Sequence, residues 1–166
     1  MDPQVLAQTV LGIFRRNVTE HYFDMNGRVG IPEFWYFVLG CFVAWLAASL
    51  IDAFISTGLL ASAVELGLLL PLAGIGARRL QDTGKPGSSV WIAIVPMAIT
   101  CVLTLLFTLG LVGLFSLWSL VRFIELAAVL GMLWIGYLCA QPGVAGPNQY
   151  GPEPAAPAAP TAKPAT

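Results

Sequence analysis

The chain has 166 residues, 57% of them hydrophobic and 10% charged, with a formal net charge of −1 and a mean hydropathy of +0.79. Soluble domains carry about 25% charged residues, so lipid is the expected solvent here. Near-neutrality without a concentrated basic surface excludes a nucleic-acid partner, and the length allows one small helical bundle but no separate soluble domain.

Residues 1–33 read as an N-terminal interfacial and juxtamembrane segment. Val5, Leu6, Thr9, Val10, Ile13 and Phe14 share one face at helical spacing after Asp2-Pro3, and Arg15 and Arg16 finish the segment. The spacing predicts a short helix in the headgroup region, or else one packed under the bundle. Charges at Asp2, Arg15, Arg16, Glu20 and Asp24 interrupt the N-terminus before any long apolar run, so no cleavable signal peptide is expected.

Four membrane spans are predicted over 34–140. The first covers about 34–55 and is entered at Trp35 and Tyr36. The second covers about 59–77 and contains Glu65 and Pro71. Residues 90–139 hold only Arg122 and Glu125 as charges and are too long for one span, so they divide near 110–117 into spans of about 90–110 and 118–139. Residues 141–166 are rich in Pro, Ala and Gly and read as a tail, disordered beyond about Pro154. Arg15, Arg16, Arg28, Arg78, Arg79 and Lys85 fall on one side of this topology, against at most Arg122 on the other, which places both termini in the cytoplasm.

Three short boxes flank the apolar runs: Gly27-Arg28 with Glu33-Phe34-Trp35; Arg78-Arg79-Leu80-Gln81-Asp82-Thr83-Gly84; and Asn148-Gln149-Tyr150-Gly151-Pro152-Glu153-Pro154. In this order they resemble the bacterial inner-membrane family catalogued as domain of unknown function 805. Its members show GR-x-x-R-x-E-[FY]-W, then RRLHD-x-x-x-S-x-W-W, then N-x-[FY]-G-x-[DE]-P. The first box here lacks its second basic residue, Gln81 stands for the histidine, and the Ser-x-Trp-Trp ending is loosened to Ser88-Ser89-Val90-Trp91. Glutamine keeps hydrogen bonding but cannot titrate, so a proton-transfer or ligand role of that imidazole is not expected in this chain. The resemblance implies a small inner-membrane protein with no assigned activity.

Two groups of charged residues are candidate sites. Arg28, Glu33, Arg78, Arg79 and Asp82 are expected at the cytoplasmic border, where they either pair with one another between helix ends or present a face to anionic lipid headgroups or a membrane-protein partner. Asp52, Glu65, Arg122 and Glu125 are expected toward the opposite side. Carboxylates at membrane depth are functional candidates by default, and Arg122 and Glu125 can pair at i, i+3, while Arg122 can also reach Glu65 or Asp52.

Ala63, Gly67, Gly74 and Ala77 give the second span a small-residue face suited to close helix approach. Cys41, Cys101 and Cys139 read as small hydrophobes, and His21, the lone histidine, as an interface residue. No catalytic, cofactor or metal constellation is legible, so no enzyme is expected. The expected fold is an all-α polytopic bundle of four transmembrane helices with an N-terminal interfacial helix. Its leading function is a membrane interaction or scaffold component, as a homo-oligomer or with a partner. The alternative is a small transporter or channel subunit with an ion path at Glu65 and Asp52.

Overall fold

The computed structural model describes residues 2–55, 57–110 and 118–154. Five helices account for most of them: α1 (Pro3–Thr19), α2 (Ile31–Ile55), α3 (Leu59–Asp82), α4 (Trp91–Thr108) and α5 (Trp118–Ala140). A 3-10 turn, Gly87–Val90, leads into α4. Four segments, Ile31–Ile55, Leu59–Asp82, Gly87–Thr108 and Leu120–Ala140, are long and apolar enough to cross a bilayer. Their outer surfaces carry large apolar side chains, with Phe54 89% and Phe123 71% exposed, as expected where the solvent is lipid rather than water.

Helix α3 runs five residues past the expected end at Ala77 and takes in the whole Arg-Arg-Leu-Gln-Asp run. Charge suggested a loop there, but every residue from Ala73 to Asp82 is buried, and buried backbone is best satisfied inside a helix. Helix α2 likewise begins three residues earlier than expected, with Pro32 in its first turn, where a missing N–H costs nothing. The expected division of the third and fourth spans at 110–117 falls largely outside the described residues, as does the tail beyond Pro154.

Each neighbouring pair in α2–α3–α4–α5 packs closely, whereas α2 and α5 barely meet. The fully buried core, including Phe37, Ile75, Leu80, Val90, Ile94 and Cys139, gathers at the end where α3 finishes and α4 begins, hereafter the arginine end. Helix α1 is capped by the Asp2 side chain and packs on α2, where Phe14 stacks on Phe37 at 5.7 Å and lies over Gly40. A Cβ at Gly40 would sit 2.8 Å from the Phe14 ring.

Two prolines lie inside helices, and each releases the carbonyl four residues back. Pro71 frees the Gly67 carbonyl, which accepts the Tyr22 hydroxyl at 2.8 Å. Pro96 frees the Ile92 carbonyl, and Gly131 of α5 approaches it so closely that an added Cβ would lie 2.9 Å away. The small-residue face of α3 therefore hosts the chain joining α1 to α2 at Gly67 and Gly74: the Asp24 carbonyl would lie 3.0 Å from a Cβ at Gly74. The close helix approach expected there occurs at Gly131 instead.

Candidate functional site

At the arginine end, Asp82 closes α3 and receives two guanidinium groups. Arg28 Nε and Nη2 lie 2.9 and 2.8 Å from Oδ1, and Arg79 Nη1 binds Oδ2. The side chains of Arg28, Arg79 and Asp82 are 2%, 0% and 5% exposed. Two cations share one carboxylate, so the remaining guanidinium protons need other acceptors. Backbone carbonyls supply them. Arg79 donates to Cys139 at 2.8 Å, to Val29 at 3.3 Å and to Gln141. Arg28 donates to Val144 at 2.5 Å and to Gly146 at 2.6 Å, with Gly151 at 3.4 Å.

The segment after α5 is thereby strapped across the end of α3, and it returns the favour. Val144 N–H donates to the Asp82 carbonyl at 2.9 Å, and the Asn148 amide donates to the Gln81 carbonyl at 3.0 Å. The last carbonyls of a helix lack partners within it, so the strap acts as the cap of α3. Asn148 also accepts from Tyr150 N–H and exchanges two backbone bonds with Gly151, closing a tight turn, while Glu153 accepts from Gly146 N–H at 2.8 Å. Gly143 fits only without a side chain, since a Cβ would lie 2.9 Å from the Asp82 carboxyl carbon.

Arg78 and Glu33 stand apart from this knot. Arg78 is buried and donates to Asn17 Oδ1 at 2.6 Å, with Nε making no bond to a described residue. Glu33, in the first turn of α2, pairs with Arg16 of α1 at a half-exposed surface. Nearby, Asn26 N–H donates to Asp24 at 3.1 Å and holds that carboxyl below the usual carboxylate range.

The second group does not gather into one cluster. Asp52 turns to the start of α3, accepting from Thr57 Oγ1 at 2.7 Å, Leu60 N–H at 3.2 Å and Ala61 N–H at 2.7 Å. It caps α3 from the preceding helix, a role that Gly58, the residue at the cap position, has no side chain to fill. Arg122 Nη1 binds Glu125 Oε2 at 2.6 Å. The Glu65 side chain makes no hydrogen bond or ion pair with a described residue.

Glu65 and Glu125 instead line one cavity of about 1070 Å³ that opens between α2 and α5. Its walls include Trp35, Val38 and Trp45 of α2, Met97 and Thr100 of α4, and Met132 and Gly136 of α5, with α3 behind. Apolar side chains make up nearly all of it. The cleft exists because α3 and α4 hold α2 and α5 apart, and no sequence pattern along any one helix encodes that separation.

A family model described as a protein of unknown function (DUF805) matches residues 22–152. The chain belongs to the DUF805 family. Neither a curated protein nor a solved structure matches it. The matched span contains the first two boxes and the third as far as Pro152, and the knot brings the three together in this DUF805 member: Arg28 from the first, Arg79, Gln81 and Asp82 from the second, Asn148, Gly151 and Glu153 from the third. Gln81 is itself buried and donates to the Met25 carbonyl at 2.9 Å. An imidazole N–H at this position would serve the same carbonyl, so the exchange of histidine for glutamine is compatible with a role in packing.

Sequence reasoning did not find Asn17 or the strap carbonyls of Cys139, Gln141, Val144 and Gly146. Asn17 carried a signal, since it stands four residues after Ile13 on the apolar face of α1, where a polar side chain needs a buried partner. Backbone acceptors leave no trace in residue identity.

Proposed function

We propose that this DUF805 member is a non-catalytic binding component of the bacterial inner membrane, a scaffold with a locked cytoplasmic end and a cleft that admits an apolar guest from the bilayer. The observation that carries this reading is the cleft of about 1070 Å³ between α2 and α5, two helices that barely meet in a bundle whose other neighbours pack closely. The arginine end faces the cytoplasm in this reading, supported by the concentration of Arg and Lys there. Helix α1 lies at that border with Arg15 and Arg16 exposed. Arg15 and Lys85 are available to anionic headgroups, whereas Arg16 is paired with Glu33 and Arg28 and Arg79 are engaged inside the protein. An ion path draws less support, because Asp52 gives its oxygens to the start of α3.

The test is in-cell photo-crosslinking from positions 38 and 132 in the cleft, with position 123 on the outer surface as the reference. Cleft positions are expected to give a defined set of adducts by mass spectrometry, displaced when Gly136→Leu fills the space. Adducts identical in kind and yield to those from position 123 would overturn the reading.

A further inference from the structure

We infer that Arg78 is a phosphate-binding residue: its guanidinium, buried where α1 meets α3, takes an external phosphate oxyanion, supplied by a phospholipid headgroup or by a soluble phosphate ester. The site is separate from the cleft and does not depend on what the cleft admits.

Among the described residues, Arg78 is the buried cation that the chain leaves without a counter-ion. Arg28 and Arg79 share the Asp82 carboxylate, but Arg78, only 6% exposed, forms no ion pair. Other carboxylates at this end are engaged elsewhere: Glu33 by Arg16, Asp24 by His21 and the Asn26 N–H, and Glu153 by the Gly146 N–H. Glu20, just past the end of α1, is exposed and joins no ion pair with a described residue. A guanidinium cannot shed its charge, and the neutral amide oxygen of Asn17, at 2.6 Å, does not cancel it. Taking such a charge out of water is costly unless an anion comes with it.

The donors left over fit an oxyanion. A guanidinium carries five N–H donors, and Arg78 spends one of them, from Nη2, on Asn17. Nε is enclosed and unbonded, while Nη1, also unbonded to any described residue, is not enclosed, so the group meets the surface there. Donors spread over one planar group suit the paired oxygens of an oxyanion. Depth selects phosphate. From Leu59, where α3 begins, to Arg78 the helix rises about 28 Å, and the hydrocarbon of a bilayer is about 30 Å thick. A helix that enters the hydrocarbon near Leu59 therefore delivers Arg78 to the layer where lipid phosphates are concentrated.

The experiment follows the melting temperature of the full chain in dodecyl maltoside, a detergent without phosphate, during titration with each of three additives. Dioleoyl phosphatidylglycerol carries tails and phosphate, dioleoylglycerol the same tails alone, and glycerol phosphate the phosphate alone. Phosphatidylglycerol is expected to raise the melting temperature of the wild type saturably, by about 5–10 °C at a hundredfold excess over its dissociation constant. Dioleoylglycerol should fall well short of that rise. Arg78→Met and Arg78→Gln should each lose the difference between the two lipids, read against the variant's own melting temperature without lipid. A rise with phosphatidylglycerol but not with glycerol phosphate assigns the site to a headgroup, and equal rises with both assign it to a soluble phosphate ester. Equal rises with phosphatidylglycerol and dioleoylglycerol, no rise with any additive, or an undiminished difference in either Arg78 variant would overturn the proposal. The comparison of additives on the wild type decides the matter even where neither variant folds.

Discussion

Two regions of the bundle, the knot and the cleft, handle polar groups in opposite ways. At the arginine end, three buried ionic side chains are matched to one another and to carbonyls from Val29, Cys139, Gln141, Val144 and Gly146, and the apolar core gathers beside them. In the cleft, which runs from the middle of the bundle to that same end, α2 and α5 part, the walls are apolar, and the Glu65 side chain stands without a partner among the described residues. A buried ion pair stabilises little by itself, since desolvation offsets most of the attraction, but losing one member is expensive. The charged boxes therefore set geometry, and the plain apolar helices leave the room for a guest.

The sharpest way to break the contrast is Arg79→Ala. It strands Asp82 beside Arg28 and orphans the carbonyls of Cys139 and Gln141, at a cost of about 3–5 kcal/mol. Denaturation in detergent micelles should show the loss, and wild-type stability would mean that the knot is dispensable. Gly143→Ala presses a methyl against a carboxylate pinned by two arginines and is expected to cost about 1–3 kcal/mol in the same assay.

Asp52→Ala removes three hydrogen bonds at the start of α3 and should lower the melting temperature by less than Arg79→Ala. A larger drop than that would assign Asp52 more than capping. At Asp24 the effect is smallest. Its folded-state pKa is depressed, so its contribution is complete above the usual carboxylate range and fades as pH falls through the folded value. Melting curves of wild type and Asp24→Asn should therefore differ slightly near neutrality and converge in acid.

Much of the fold was legible because apolar runs of membrane length announce themselves. The ends of the helices were not. Arg78 to Asp82 read as border or loop by charge, yet they are helical, and their counter-groups lie as far as 67 residues away in sequence, at Val144 and Asn148. The paired residues Arg122 and Glu125 were visible as an i, i+3 pair on one helix. The use of Asp52 was hidden, since capping depends on where the turn after Ile55 returns the chain.

The strap has a consequence for how the protein comes into being. The carbonyl acceptors of Arg28 and Arg79 belong mainly to residues 139–151, so Arg28 waits through the synthesis of four helices and Arg79 through that of two before those acceptors exist. The knot is the last joint to close, and it closes only once α5 has been made and packed. A chain that stalls before α5 leaves two arginines sharing the Asp82 carboxylate without their carbonyl acceptors, a mark by which unfinished copies differ from finished ones.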